Sequence, residues 1–224
     1  MANGLFRVAL DEMSQLDADA FGPTSFRGYV REHDLEAGSR TPKYISIDAI
    51  TELSTELRDE DVMVFRLGSA SDGPGTQFAL VRARNSIADY FIVDDDVFSA
   101  ENSVDFSSEV PPERMLGFHA LPNLSETSLV NLGLASGVIS HALDIDDVES
   151  LLPPATGRSR FSFSVRPRAD LKLEFDHNSG QVEVDTLFAE RRDGERVLFV
   201  IEAKTGTKRQ SLAKHKLAYP VYAI

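Results

Sequence analysis

Cysteine is absent from all 224 residues, which excludes disulfide staples, thiolate metal sites and cysteine nucleophiles. Apolar runs of membrane-spanning length, about 20 residues, are missing too. The opening MANGLFRVALDEMSQ carries acidic residues where a secretory leader needs an unbroken apolar stretch. The expectation is a cytoplasmic protein with no membrane partner. The five histidines, His33, His119, His141, His177 and His215, have no zinc spacing. His141, in an apolar segment, reads as a core histidine. The glycine-rich stretch 68–75 lacks a P-loop lysine and a dinucleotide fingerprint, and no serine stands in a nucleophile elbow. The run Asp94-Asp95-Asp96 reads as a solvated turn rather than a calcium loop, which needs ligands at longer, regular spacing.

Lysine is also scarce where acid is plentiful. Of the first 150 residues only Lys43 is lysine, and Asp and Glu exceed Lys and Arg there by 17. Residues 151–224 reverse the sign, with 13 basic and 9 acidic side chains. The net charge of −13 therefore hides an electrical split along the chain. The acidic half is either a solvated surface of the salt-adapted kind or a face that docks a protein partner. At 42% hydrophobic and 26% charged, the chain can bury a core without staples.

Helical stretches are expected around 10–20, with a turn at Gly22-Pro23. The FRGYVREH segment (26–33) has Arg27, Tyr29 and Arg31 as weak candidates for touching nucleic acid. Apolar spacing predicts an amphipathic helix over 46–57 through Ile47, Ile50, Leu53 and Leu57. Strand-like runs follow at 62–67, 77–81 and 90–93, then a proline-rich connection over 99–122. From Ser125, a buried helix is expected over 128–143, capped by Ser125 or Asn123. Strands are expected at 161–165, 171–175, 181–190 and 196–204. A helix should then run from a Thr207 cap to about Tyr219, with Pro220 ending it and VYAI opening a last strand. This order predicts a mixed α+β fold, an acidic α+β unit over 1–115 preceding a mixed sheet flanked by helices over 123–224.

Asp193-Gly194, between two β-rich runs, is the strongest local signal and predicts a two-residue type I′ hairpin. Arg192 then faces Glu195, and stepping back along the ladder sets Asp185 opposite Glu202 and Glu183 opposite Lys204. Period-two alternation puts all four on one face. Directly opposed like charges are destabilising, and the neighbours Val182, Val184, Phe199, Val200 and Ile201 are apolar. Two carboxylates converging there call for a hard divalent cation, and Mg2+ takes oxygen ligands while keeping several waters. Lys204 is placed to orient or activate a water and to offset phosphate charge. Glu-x-Lys alone is uninformative, since a chain of this length yields about one by chance. The bland alternative is a cross-strand Glu183–Lys204 ion pair with two solvated carboxylates.

The segment VEVDTLFAERRDGERVLFVIEAK resembles the core of the PD-(D/E)XK nucleases, whose fold is called restriction-endonuclease-like. It is most similar to their Holliday-junction-resolvase-like branch. The likeness covers about 25 residues well and, through the order of elements, extends loosely over 125–224. Val184 stands where family members often have proline. The resemblance implies that Asp185, Glu202 and the Ala203 carbonyl are metal ligands and that Lys204 is the catalytic lysine. Members often carry a further acid on the first helix; Glu126 and Glu149 are available, and the position is left open. Lys208, Arg209, Lys214, His215 and Lys216 offer a basic surface for phosphates. The leading expectation is a Mg2+-dependent nuclease, with Mn2+ able to substitute, acting on nucleic acid, DNA before RNA, in restriction, repair or defence. A homodimer and a protein partner for the acidic half are compatible with it. The alternative is a non-catalytic nucleic-acid or protein-interaction module that keeps the fold.

Overall fold

The computed structural model describes residues 4–36, 42–98, 104–146, 153–205 and 210–224. It has a mixed α+β fold, as expected. Its compact units, however, are not sequential. One comprises Met1–Val97, Ser159–Val182 and Lys208–Ile224, and the other Phe98–Arg158 and Glu183–Thr207. The expected division into 1–115 and 123–224 is thus replaced by an interleaved one. Among the described residues no helix is long and apolar enough to cross a membrane.

In the first unit the strands β1 (Ala20–Ser25), β2 (Val62–Ser69) and β3 (Thr76–Arg82) join β5 (Ala155–Val165) and the start of β6 (Phe175–Arg192) in the order β1-β3-β2-β6-β5. β3 runs antiparallel to β1 and β2, and β2 runs parallel to β6, so the sheet is mixed. Six of the eight residues of β2 and five of the seven of β3 are buried, which explains their mostly apolar runs in place of alternation. Helix α1 (Arg7–Gln15) buries Ala9, Leu10 and Met13, and the buried Glu56 carboxylate accepts from the Phe6 amide at its start, 2.8 Å away. In α2 (Phe26–Glu32), Tyr29 is buried with its hydroxyl donating to the Leu5 carbonyl at 3.1 Å, so it is unavailable to nucleic acid. Phe78 is the ring on which Phe6, Phe21, Phe26 and Tyr29 converge, at 5.3–6.0 Å.

Three expected elements of this unit take other forms. The helix over 46–57 is broken into a 3-10 turn, Ile50–Glu52, and α4 (Thr55–Asp59), with Leu53 extended at φ −60°, ψ 141°. Local and distant partners take its backbone groups. Glu52 accepts from the Asp48 amide at 2.7 Å, Ser211 from Ile50 at 3.1 Å, and the Asp48 carbonyl accepts from Ala213 at 2.8 Å. The apolar face survives, for Ile47, Leu53 and Leu57 are all buried. Residues 171–174 form no strand: Leu171 and Leu173 pack on the core while Lys172 and Glu174 are exposed, the alternation of an extended chain without a pairing partner. At the C-terminus, β8 (Ser211–Ala213) pairs antiparallel with β4 (Phe91–Val93), following α3 (Pro42–Ile45) and the other early elements. The last helix therefore begins only after it. Thr207, the expected cap, lies outside the described residues. In α9 (His215–Ala223) Pro220 is internal, and VYA is helical rather than a strand. Tyr219 and Pro220 are buried there, and the Tyr219 hydroxyl donates to the Arg66 carbonyl at 3.2 Å.

The second unit holds α6 (Leu116–His119), α7 (Glu126–Ala135), α8 (Val138–Ala142), the later part of β6, and β7 (Glu195–Ile201); α5 (Asp94–Val97) precedes it in the first unit. The single buried helix expected over 128–143 is two helices. Gly137, at φ +83°, donates to Leu134 at 3.0 Å and closes α7, the left-handed stop that glycine supplies. Of α7 only Val130 is buried. His141 of α8, expected in a core, is exposed, since α8 presents Ser140 inward instead. The small core gathers Ile145, Phe188 and Phe199, with Leu134, Leu143, Val197 and Ile201 around them.

Gly68 interrupts the β2–β3 register at φ +83° and pairs with Asn178 of β6. A methyl group there would run into the Asn178 carbonyl and approach Gly180 Cα to 2.9 Å. Gly68→Ala is expected to cost about 2 kcal/mol or more, read as a lower urea midpoint at unchanged slope.

Two histidines give the first unit an acid sensitivity. His177 is 2% exposed, stacks on Phe163 at 4.5 Å, and has Nδ1 3.2 Å from the Phe161 carbonyl. Desolvation holds its pKa below the ordinary value. Burial, aided by the Lys216 charge and opposed by Asp48, pushes His215 down to about 3. Both titrate near about 6.5 when unfolded, so below that pH the unfolded chain binds protons that the folded one refuses. Their stabilising contribution is complete above about pH 6.5 and declines as pH falls. Urea midpoints at several pH values should therefore fall on acidification, less steeply in a His177→Gln/His215→Gln variant. Equal slopes would mean that the folded protein protonates both.

Candidate active site

The site is built on the β6–β7 hairpin. Asp193 and Gly194 have φ of +55° and +78°, the pair of positive values a type I′ turn requires. Arg191 donates to the Gly194 carbonyl at 2.8 Å. The Asp146 carboxylate accepts from the amides of Asp193 and Gly194, at 3.2 and 2.8 Å, while its own amide donates to the Arg191 carbonyl at 2.9 Å. Seven pairs follow, from Arg192↔Glu195 to Thr186↔Ile201, the register expected from the turn alone. Phe188 and Phe199 stack across it at 5.1 Å, and the Arg192 guanidinium lies over Phe199.

The ladder ends one pair short of Asp185 and Glu202, where the chain carries its charge. Lys204 Nζ lies 2.7 Å from Glu202 Oε1, 3.5 Å from Glu126 Oε2 and 4.0 Å from Asp185 Oδ2. It also donates to the Ala203 carbonyl at 3.1 Å. Asp185 Oδ2 accepts from the Ala203 amide at 3.1 Å, reaching across the open end of the hairpin. The side chains of Asp185, Lys204 and Glu202 are 13%, 13% and 7% exposed, against 35% for Glu126. Glu126 opens α7 behind the Ser125 cap, whose Oγ accepts from Ser128 at 3.2 Å. A carboxylate is favoured at that end of a helix. Its Oε1 also accepts from the Thr205 amide at 3.2 Å.

Desolvation pulls the Lys204 pKa down. The hydrogen bond and charge of Glu202, with the charges of Glu126 and Asp185, outweigh it, and the net pKa is above the ordinary lysine value. Lys204 is therefore an ammonium at neutral pH.

Asp185, Glu202, Ala203 and Lys204 thus come together as expected, while Glu183 does not join them. It is exposed, and the acidic partners of Lys204 among the described residues are Glu202, Glu126 and Asp185. Beyond Ile201 the chain leaves the strand, so the facing of Glu183 and Lys204 lapses and the ammonium turns to α7 instead. Sequence reasoning left Glu126 open; the signal available was an acid directly following a good N-cap. Glu149, the other candidate, lies outside the described residues, as do Lys208 and Arg209. Lys214 donates to the Asp89 carbonyl at 2.8 Å and Lys216 pairs with Asp48 at 2.9 Å. Both belong to the first unit, so the expected basic surface is in part committed to neighbours there.

The donors suit a hard cation by type: two shielded carboxylates, a backbone carbonyl, and a third carboxylate at the rim. Among the described residues no three acidic or histidine side chains are spaced as a ready metal cage, and the carboxylates converge on Lys204 instead.

Residues 98–223 match the family model described as a domain of unknown function, DUF6997, and the chain belongs to that family. No curated protein and no solved structure matches the chain.

The cluster gives a direct stability test. Lys204→Met removes the ammonium from the shielded side chains of Asp185 and Glu202 and should cost roughly 3 kcal/mol, seen as a lower Tm. The triple variant Lys204→Met/Asp185→Asn/Glu202→Gln should recover much of that loss.

Proposed function

We propose that this protein is a Mg2+-dependent phosphodiesterase acting on nucleic acid, DNA before RNA, and that it is a distant relative of the PD-(D/E)XK nucleases. The observation that carries this reading is the convergence of Asp185, Glu202 and Lys204 within 4.0 Å at the open end of a type I′ hairpin. Charges gathered in so shielded a place are costly without a use, and perturbed, partly desolvated ionisable groups concentrate at functional sites.

Asp185 and Glu202 would hold the metal, with the Ala203 carbonyl as a further donor; Mn2+ would serve as well. The bound ion would supply Lewis acidity toward the phosphoryl oxygen and a water acidic enough to attack. The chain does the rest. Lys204, held as an ammonium, donates rather than accepts a proton; it orients the attacking water and offsets charge growing on the phosphate. Glu126 positions Lys204 through its 3.5 Å contact and fixes the following backbone through Thr205. The acidic N-terminal half is unsuited to a broad duplex-binding face and is read as the side that selects a protein partner or a second copy.

One observation favours a second reading, a non-catalytic nucleic-acid or protein-interaction module: Lys204 already engages all three carboxylates. The two differ in response to metal. In the catalytic reading, Mg2+ or Mn2+ raises the Tm of the wild type but not of Asp185→Asn, and supports nicking of supercoiled plasmid. Lys204→Met or Glu202→Gln should then lower cleavage roughly a hundredfold or more. Neither a Tm shift nor nicking at any salt level would sink the nuclease and leave the module. Matched DNA and RNA substrates separate the two nucleic acids.

A further inference from the structure

We propose that a groove in the first unit, lined from β3, the β2–β3 connection, β5 and the start of β6, binds a neutral saccharide, independently of the phosphodiesterase reading. The groove holds about 670 Å3, within the range of about 300–1,000 Å3 typical of small-molecule sites. Gln77 carries the argument. It lines the groove from β3, is only 8% exposed, and its side-chain amide has no hydrogen-bond partner among the described residues. Unlike the Ser140 and Thr186 hydroxyls, which are sealed in without partners, this amide keeps its opening to the groove. An amide offers one acceptor and two hydrogens, and burying it with these unpaired is costly. The strand around it is otherwise apolar from Phe78 to Val81, so nothing in the local packing calls for a glutamine.

Neighbouring groups extend the pattern. Ser162 Oγ accepts from the Ser179 amide at 2.9 Å, which leaves its own proton to donate. Asp176 Oδ1 accepts from Ser164 Oγ at 2.8 Å, which leaves Oδ2 to accept. Asn178 adds a second, exposed amide. The frame is rigid beside Gln77. Asp72 Oδ2 accepts from Thr24 Oγ1 at 2.8 Å and from the Ser25 amide at 3.2 Å, and Ser25, paired with Gln77 across the ladder, donates to the Pro74 carbonyl at 2.7 Å. A preformed groove lowers the cost of binding.

The lining selects the class of ligand. No lysine or arginine stands in it to hold a phosphate or carboxylate. Glu174 lies 3.8 Å from the Arg166 guanidinium, and no three acidic or histidine side chains among the described residues could hold a metal. A nucleobase would need an open ring face, but Phe163 stacks on His177 at 4.5 Å and meets Tyr219 and Tyr222 at 5.3 and 5.8 Å. The ligand that fits is uncharged and carries many groups that both donate and accept. Adjacent hydroxyls of a sugar ring match planar amides and carboxylates two at a time.

A glycan array carrying neutral and acidic glycans, probed with the full chain, tests this. The wild type should retain neutral glycans, and calorimetry with the one retained best should show a saturable site insensitive to salt. Gln77→Met should weaken it at least tenfold with Tm unchanged or raised, because the amide has no partner to lose. Asp176→Ala, at an exposed position, should weaken it severalfold. Asp95→Asn/Asp96→Asn and Asp185→Asn should leave it intact. The proposal is overturned if no neutral glycan is retained, if affinity is unchanged in either groove variant, or if the Asp95/Asp96 control loses as much.

Discussion

The turn at Asp193-Gly194 sets the geometry on which the second unit's chemistry depends. A two-residue type I′ connection admits one register, and seven cross-strand pairs carry that register from the tip to the far end. The side chains that matter lie where the ladder stops. Regular pairing would satisfy the backbone there and hold two carboxylates rigidly opposed; its end instead frees the Ala203 amide and carbonyl. The amide goes to Asp185 and the carbonyl to Lys204. The precision of the strands and the freedom just beyond them are both needed to bring an acid, a second acid and an ammonium to one point.

Electrostatics then shape the site more than packing does. Three carboxylates gather around the Lys204 ammonium with graded exposure: Glu202 is the most shielded and nearest to Lys204, Glu126 the most open and at the favourable end of a helix. The same grading keeps the lysine charged, which restricts it to donating protons and orienting what it touches.

Where the decisive forces were local, the sequence could be read. Asp-Gly announced its turn and register, Ser125 its cap, and the apolar runs at 62–67 and 77–81 the strands β2 and β3. Long-range partners explain the failures. Nothing near Ile50 announces that Ser211 will take its amide, or near Ser211 that Phe91–Val93 will claim that segment as a strand. Helical periodicity over 128–143 was real on both sides of Gly137, but one left-handed residue was enough to divide it. At the site, Asp185, Glu202 and Lys204 were legible because register is arithmetic. Glu126 lies 78 residues from Lys204 in the chain and joins it only through folding.

Asp146 gives the hairpin tip an unusual mechanical role. The tip of a two-stranded ribbon is ordinarily the place where a chain accepts an insertion without consequence. Here both turn amides are already claimed by a side chain from the loop after α8. Lengthening the turn would release that clasp and let the strands slip. Because a slip of one residue reverses every side chain's face, the error would arrive undiminished at Asp185 and Glu202. The tip behaves less as a loose end than as the fixed pivot of a lever whose working end is the carboxylate pair.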